Sequence, residues 1–418
     1  MRAAWARLGA LGSVALGSAF WWQRKSGPVR AAKEAEEQDA PSPYELRLVQ
    51  VLFRHGARTP LKSIPGVLEA EWAPNLLHVP PHTQVEYVVT DLQGGPRPPA
   101  PIEDSYRAHK LTGGTFPGQL TTVGMQQLYD LGMRLRKRYI LEVPFLTNTY
   151  TPKEVYVRST NIVRTIESAK CLVAGLFQQK QTGILPIVTV EAEQEILYPN
   201  YHGCNLLRKR SGHRWAESVT LPEIAADLQN IQNALGIPDN KRVDFILIRD
   251  DMVARETHGL PYPSELVNWK GKVEQRAIDM ICHIYEPSRR ENLQLCVGPL
   301  LHKLLNNMEE KLQSSSPEPD RKLFLYSVHD TTLMPCLMAL GIFDMKWPPY
   351  AADITLELLQ HRTTQEAFVK VFYLGQEQKI PGCSDALCPL AEFQKAMSAY
   401  TLSSESYKSL CNSAESRL

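Results

Sequence analysis

Three runs of apolar residues stand out along the chain, and each stops abruptly at polar, chemistry-bearing side chains. Leu46 to Phe53 is apolar and β-branched, Glu154 to Val157 is shorter, and Lys322 to Val328 is the clearest of the three. Short continuous runs of this kind predict strands buried on both faces of a sheet. Between them the period changes. Met125, Leu128, Leu131, Leu135 and Tyr139 recur at helical spacing after Leu120-Thr121-Thr122-Val123-Gly124, with a threonine available as N-cap. The basic cluster in the last turn, Arg134, Arg136, Lys137 and Arg138, fits the negative end of the helix dipole. Further helices are predicted at about Asn161 to Phe177 and Leu333 to Leu340.

From Pro199 to about Arg321 the pattern is mostly helical, with runs at Pro222 to Leu235, Leu266 to Tyr285 and Leu295 to Leu312. Phe245 to Ile248 is a strand-like run inside this segment, which closes in the polar loop Ser314 to Asp320. Glu191 to Tyr198 is expected to return to the sheet. Ile354 to Leu359 and Phe368 to Leu374 alternate as a hairpin at one sheet edge. The serine-rich tail after Leu402 is expected to be mobile. The fold class is therefore α/β: a mixed, mainly parallel sheet flanked by helices, with a mostly helical cap. The expected division is a core of 44–198 and 321–418 and a cap of 199–320. Residues 61–118 form a long proline-rich surface loop that begins beside the end of the first strand, although Gln84 to Leu92 has strand character.

Composition adds exclusions. A chain of 418 residues exceeds one typical domain, and 43% hydrophobic with 22% charged residues is ordinary for a soluble globular protein. A formal net charge of +1 gives no broad basic surface for nucleic acid, so any anion site must be local. Residues 1–33 hold six basic residues (Arg2, Arg7, Arg24, Lys25, Arg30 and Lys33) and no acid. An acid-free leader with arginine and serine matches a mitochondrial presequence, joined by a linker at 34–43. A secretory signal with Leu8 to Trp22 as its apolar region is the alternative, and a single membrane anchor a lesser one. No Asn-x-Ser/Thr acceptor is present. The eight cysteines are scattered; Cys383 and Cys388 are spaced to close a small disulfide, and reduced thiols are an equal reading. None groups with histidine at zinc spacing, and neither metal nor cofactor is expected.

The chemistry lies where the strands stop. The first ends in Arg54-His55-Gly56-Ala57-Arg58-Thr59-Pro60, the second in Arg158-Ser159-Thr160-Asn161-Ile162-Val163-Arg164-Thr165, and the third in His329-Asp330-Thr331-Thr332. An open α/β sheet binds ligands at the carboxyl ends of its strands. Planar guanidinium groups match phosphate oxygens, and the start of the helix after the second strand offers free backbone N–H groups to an anion. Arg158 and Arg164 are six residues apart and need not face the same way; Arg164, in the first helical turn, is the better phosphate ligand. The set suits phosphomonoester hydrolysis: Arg54, Arg58, Arg164 and a protonated His329 hold the phosphate. His55 attacks phosphorus, and Asp330, protonated, donates to the leaving oxygen. Basic residues at 208–210 and the tryptophans Trp215 and Trp269 read as solvated charge and core packing rather than as substrate contacts.

Arg-His-Gly-x-Arg-Thr-Pro, then Arg-Ser-Thr-x-x-x-Arg-Thr, then His-Asp, with Gln119-Leu-Thr-x-x-Gly124 between, resembles the histidine acid phosphatase branch of the phosphoglycerate-mutase-like superfamily. The match spans Leu46 to Leu374 in the right order. The resemblance implies that His55 is the phosphorylated nucleophile and Asp330 the proton donor. Arg54, Arg58, Arg164 and His329 match the phosphate-binding positions. It also implies a mixed α/β sheet with a helical cap. The leader, the proline-rich stretch and the Tyr-Ser-Val-His-Asp ending are most like a mitochondrial branch of that family. That likeness implies a small-molecule lysophospholipid, lysophosphatidic acid, as substrate; transient membrane contact, no nucleic-acid partner and a monomeric chain are expected beside it. Two other readings stand beside it. An inositol-polyphosphate phosphatase of the same fold would need a strongly basic cap, whereas acids and bases mix between Pro199 and Arg321. A non-catalytic lipid- or phosphate-binding protein would tolerate loss of His55 or Asp330, and both are intact.

Overall fold

The computed structural model describes residues 42–285, 290–313 and 321–412. The leader, all but the last two residues of the linker, and the Ser314–Asp320 loop lie outside that range.

The first apolar run becomes β1 (Tyr44–Arg54), the axis of the sheet. The long loop that follows contributes β2 (Tyr87–Thr90) and a short helix α1 (Pro101–Tyr106), so part of it is sheet rather than surface loop. Next come α2 (Thr122–Arg136), β3 (Val155–Ser159), α3 (Val163–Phe177) and β4 (Leu185–Val188). The helical segment supplies α4 (Asn205–Ser218), α5 (Pro222–Leu235), α6 (Phe245–Thr257), α7 (Ser264–Val267), α8 (Lys270–Tyr285) and α9 (Arg290–Gln313). The chain then returns through β5 (Leu323–Val328), α10 (Asp330–Ala339), β6 (Asp353–His361), β7 (Ala367–Tyr373), β8 (Gln376–Gln378) and β9 (Cys388–Pro389). It ends in α11 (Leu390–Met397) and α12 (Ser404–Cys411).

The sheet order is β2-β4-β3-β5-β1-β6-β7-β8, with β9 on β7. The five strands from β2 to β1 run parallel, and β6 to β9 are antiparallel. Alternation along β1 explains its position. Val49, Val51 and Phe53 face the layer formed by α2 and α3, while Leu48 and Leu52 face the larger core made with the helical segment. A strand covered on both faces has no polar side to show, which is why its sequence reads as one continuous run. Gln50 breaks that run, and its amide donates to Leu304 O (2.9 Å) and accepts from Asn307 (2.7 Å) on α9. From Tyr44 onward the core strands and the helical segment form one compact unit.

Four expectations need correction. Phe245 to Ile248 starts α6: Asp244 caps it through Leu247 N (2.8 Å), and the apolar side chains pack into the helical core instead of pairing with a strand. Glu191 to Tyr198 does not rejoin the sheet; the strand there is β4, and Ala192–Gln194 is a single 3-10 turn. The basic end of α2 does more than meet a dipole. Arg134 pairs with Asp353 and Arg138 with Glu357 (2.6 Å), so these residues neutralise two buried carboxylates of β6. Of the residues after Leu402, Ser404–Cys411 form α12, fastened to the start of α4 by a Cys204–Cys411 disulfide across 207 positions. Cys383 and Cys388 do form the small disulfide.

The turn after β1 is packed backbone to backbone on α2. A Cβ on Gly56 would sit 2.3 Å from Gly124 O, and one on Gly124 would sit 2.1 Å from Ala57 O. Glycine at both positions is thus what lets the turn carrying His55 rest on the helix. Gly124→Ala should lower stability by about 1–3 kcal/mol, the usual penalty for overpacking. Equilibrium denaturation checks this, and unchanged stability would mean that the turn is free to move.

Candidate active site

The three strand ends that carry the chemistry belong to neighbouring parallel strands. In register, Arg54 of β1 lies opposite Val328 of β5, and Ser159 of β3 opposite Ser327. The residues that follow are therefore level with one another. His55 N donates to Val328 O (3.1 Å) and Thr160 N to Ser327 O (3.3 Å). His55 and His329 end with ring centroids 5.5 Å apart. All six side chains proposed from the sequence for catalysis or phosphate contact come together here. His55, Arg58, Arg164, His329 and Asp330 line a cavity of about 220 Å³, and Arg54 joins it through Asp330. Arg158 turns away and pairs with buried Glu195 (2.9 Å).

His55 is 1% exposed, and its Nδ1 lies 2.9 Å from Gly56 O. A carbonyl only accepts, so Nδ1 carries the proton and Nε2 keeps a lone pair. Burial, with Arg164, Arg54 and Arg58 nearby, pushes the imidazole pKa well below its ordinary value. Both effects favour the neutral ring, with the Nε2 lone pair available. Burial and Arg164 likewise push His329 well down; its Nε2 lies 3.0 Å from Thr160 Oγ1. Both favour the neutral ring, so the protonated His329 expected from sequence needs an anion beside it.

Each arginine has a different arrangement. Arg54 donates to Pro348 O (2.7 Å), pairs with Asp330 (2.7 Å) and lies 4.4 Å over the Tyr350 ring. Arg58 makes a two-pronged contact with Asp250 of α6, at 2.7 and 3.3 Å. Burial alone would lower the Arg58 pKa, but Asp250 holds it raised. Arg164 has no carboxylate partner among the described residues. Its Nε and Nη1 are buried without a hydrogen bond, and its guanidinium lies 5.1 Å from the Tyr106 ring of α1. Leaving buried charged donors unpaired is costly, so these atoms mark where an anion belongs. The start of α3 contributes less than its sequence suggested, because Glu103 of α1 accepts from Val163 N (2.9 Å).

Asp330 Oδ2 accepts from Arg54 and from Trp347 Nε1 (2.9 Å), while Oδ1 accepts from Thr331 N (2.8 Å). Burial alone would raise the Asp330 pKa, yet Arg54 and Arg58 keep the carboxyl below the ordinary carboxylate range. That environment favours the carboxylate, so a proton donor at Asp330 needs added negative charge beside it. Trp347 is itself set by Arg249 of α6, whose guanidinium lies 4.5 Å over the ring. Sequence reasoning missed Asp250, Arg249 and Trp347. The first two were hidden because the start of α6 reads as a strand; Trp347, in Trp347-Pro348-Pro349-Tyr350, was marked only by a rigid aromatic-proline cluster.

A second cavity, of about 950 Å³, adjoins the first at Arg58, Leu61, Asp330 and Thr331. Trp215, Val219, Leu228, Ile246, Leu247 and Ile281 of the helical segment give it an apolar wall. Trp215 is 40% exposed, so it is a wall of this cavity and not core packing.

A strand-end histidine, three arginines and a His-Asp pair on a mixed sheet with a helical segment define a phosphatase-type site. The chain matches the histidine phosphatase superfamily (branch 2) over residues 45–240 and 273–374, and it belongs to that family. Among curated proteins it is 47% identical to lysophosphatidic acid phosphatase type 6 of Homo sapiens, covering 92% of this chain and 91% of that one. It is 44% identical to the Mus musculus protein of the same name, covering 98% and 97%. Among solved structures, the Hafnia alvei phytase apo form superposes with a TM-score of 0.54 at 18% identity, covering 87% of this chain and 98% of that one, a likeness of fold. The chain is accordingly a phosphoric monoester hydrolase of the acid phosphatase type. The family match skips residues 241–272, the segment that carries Arg249 and Asp250.

Two outcomes are expected. Long-range nitrogen NMR of the ligand-free protein should show His55 as the neutral Nδ1–H form at pH 5.5, where a histidine of ordinary pKa is mostly charged. A charged ring at that pH would contradict the pKa direction. Asp250→Asn removes a negative charge that offsets Arg58, so inorganic phosphate should inhibit on the order of fivefold more tightly. Weaker inhibition would show that Asp250 matters for orienting Arg58 more than for its charge.

Proposed function

We propose that the protein hydrolyses lysophosphatidic acid to monoacylglycerol and phosphate through a phosphohistidine at His55. The observation that carries the substrate class is the apolar cavity opening directly off the phosphate-sized one, at Arg58 and Asp330. A phosphate among Arg54, Arg58 and Arg164 would place its ester group at that junction and its acyl chain along the Trp215–Ile281 wall. The relatives named lysophosphatidic acid phosphatase type 6 support the same reading.

In this mechanism the His55 Nε2 lone pair forms a bond to phosphorus as the bond to the ester oxygen breaks, and Asp330 gives its proton to that oxygen. The proton arrives with the substrate. A phosphate monoester has its second pKa near about 6, so in acid it enters as a protonated monoanion. It competes with Asp330 for Arg54 and adds negative charge, both of which raise the Asp330 pKa until the carboxylate takes the proton. Water then attacks phosphorus, returns a proton to Asp330 and breaks the N–P bond. The arginines and a His329 charged by the bound anion stabilise the equatorial oxygens. We read the helices from 199 to 320 as the part that selects the leaving group, and a mitochondrial address from the leader as an accompanying proposal.

Acid quenching during turnover should trap labelled phosphate on His55, and His55→Ala should lose turnover while remaining folded; turnover with no trapped label would sink the mechanism. Lysophosphatidate should be a far better substrate than phytate, and the reverse preference would defeat the lipid reading. Leu228→Trp, which fills the apolar cavity, should raise KM for a long-chain lysophosphatidate about tenfold or more, leaving glycerol phosphate hydrolysis nearly unchanged.

A further inference from the structure

The mouth of the larger cavity has a chemistry of its own. Lys62, on the loop after the first catalytic turn, and Lys241 with Arg242, just before α6, all line it and all are exposed. None lies within ion-pair distance of a carboxylate among the described residues, although Lys62 is near enough to Asp244 for its charge to oppose the rise that burial imposes on that carboxyl. The two loops that carry them touch: a Cβ on Gly66 would lie 3.3 Å from Pro238. The acids nearby are engaged or few. Asp244 caps α6, Glu69 accepts from Ser63 (2.7 Å) and Thr112 (2.7 Å), and Asp239 is the exposed carboxylate beside the pair. Leu68, on the same loop as Lys62, is 88% exposed, and Trp215 stands 40% exposed in the cavity wall.

We propose that this rim docks on an anionic lipid surface, so that a lipid monoester passes from the bilayer into the cavity without crossing water. The proposal rests on the lysophospholipid reading of the site and names the partner that presents the substrate. Charge complementarity supports it: on a chain of net charge +1, three exposed cations gather at the mouth of a cavity whose wall is largely apolar. Exposed tryptophan and leucine beside lysine and arginine form the combination that settles at a membrane interface. Each such cation near an anionic leaflet strengthens binding about fivefold.

The test uses the full chain and vesicles of phosphatidylcholine, with and without phosphatidylserine. Co-sedimentation should require phosphatidylserine and weaken in high salt. A triple variant, Lys62→Gln with Lys241→Gln and Arg242→Gln, should lose on the order of a hundredfold in vesicle affinity. It should hydrolyse p-nitrophenyl phosphate at the native rate, showing an intact site. Vesicle binding that ignores phosphatidylserine, or that survives the triple variant, would overturn the proposal. So would an equal loss of activity on p-nitrophenyl phosphate, which would make the cations ligands for a soluble anionic substrate. Charge-dependent docking without turnover of detergent-dispersed lysophosphatidate would instead overturn the lipid-phosphatase reading and leave the docking surface standing.

Discussion

Burying three guanidinium groups around two imidazoles is the constraint on which the rest of the site depends. Like charges in a cleft repel, and each removed from water needs a compensating anion. Asp330 compensates Arg54 and Asp250 compensates Arg58, while Arg164 keeps unpaired donors. The positive charge left uncompensated lies where His55 presents its free nitrogen. The same field makes that nitrogen usable, since neighbouring positive charge disfavours protonating the ring. Attraction for an anion and a preference for the neutral imidazole follow from one charge distribution.

The helical segment takes part in that balance. From a single helix, α6, Asp250 reaches Arg58 and Leu61 N (2.9 Å), and Arg249 stacks on the tryptophan that holds Asp330. The segment that walls the larger cavity thus also sets two side chains of the candidate site. Substitutions along α6 are expected to couple recognition to chemistry, because one rigid element presents both.

The three buried strands, the main helices beside them and the six candidate residues that converge were legible because each depends on local chemistry. A strand covered on both faces must be apolar throughout, and abrupt polar ends such as Arg54-His55 or His329-Asp330 interrupt that requirement visibly. Local pattern failed where the partner was distant. Phe245 to Ile248 looks like a strand until Asp244 caps it, and the Cys204–Cys411 link joins positions no spacing rule relates. The protonation balance is not a local property either. The sequence supplies His329 and Asp330, but their charge depends on Arg54, Arg58 and Arg164 arriving from other strands.

By itself the sequence determined the α/β class, the strand ends and the residues able to handle a phosphate, since hydrophobic period and side-chain chemistry are local properties. Only the tertiary structure decided that β3, β5 and β1 lie side by side in level register, which turns three separate motifs into one cleft. It also decided that Asp250 neutralises Arg58 and that an apolar cavity opens beside the phosphate site. Those outcomes depend on distances between residues far apart in the chain, and electrostatic energy depends on distance through space.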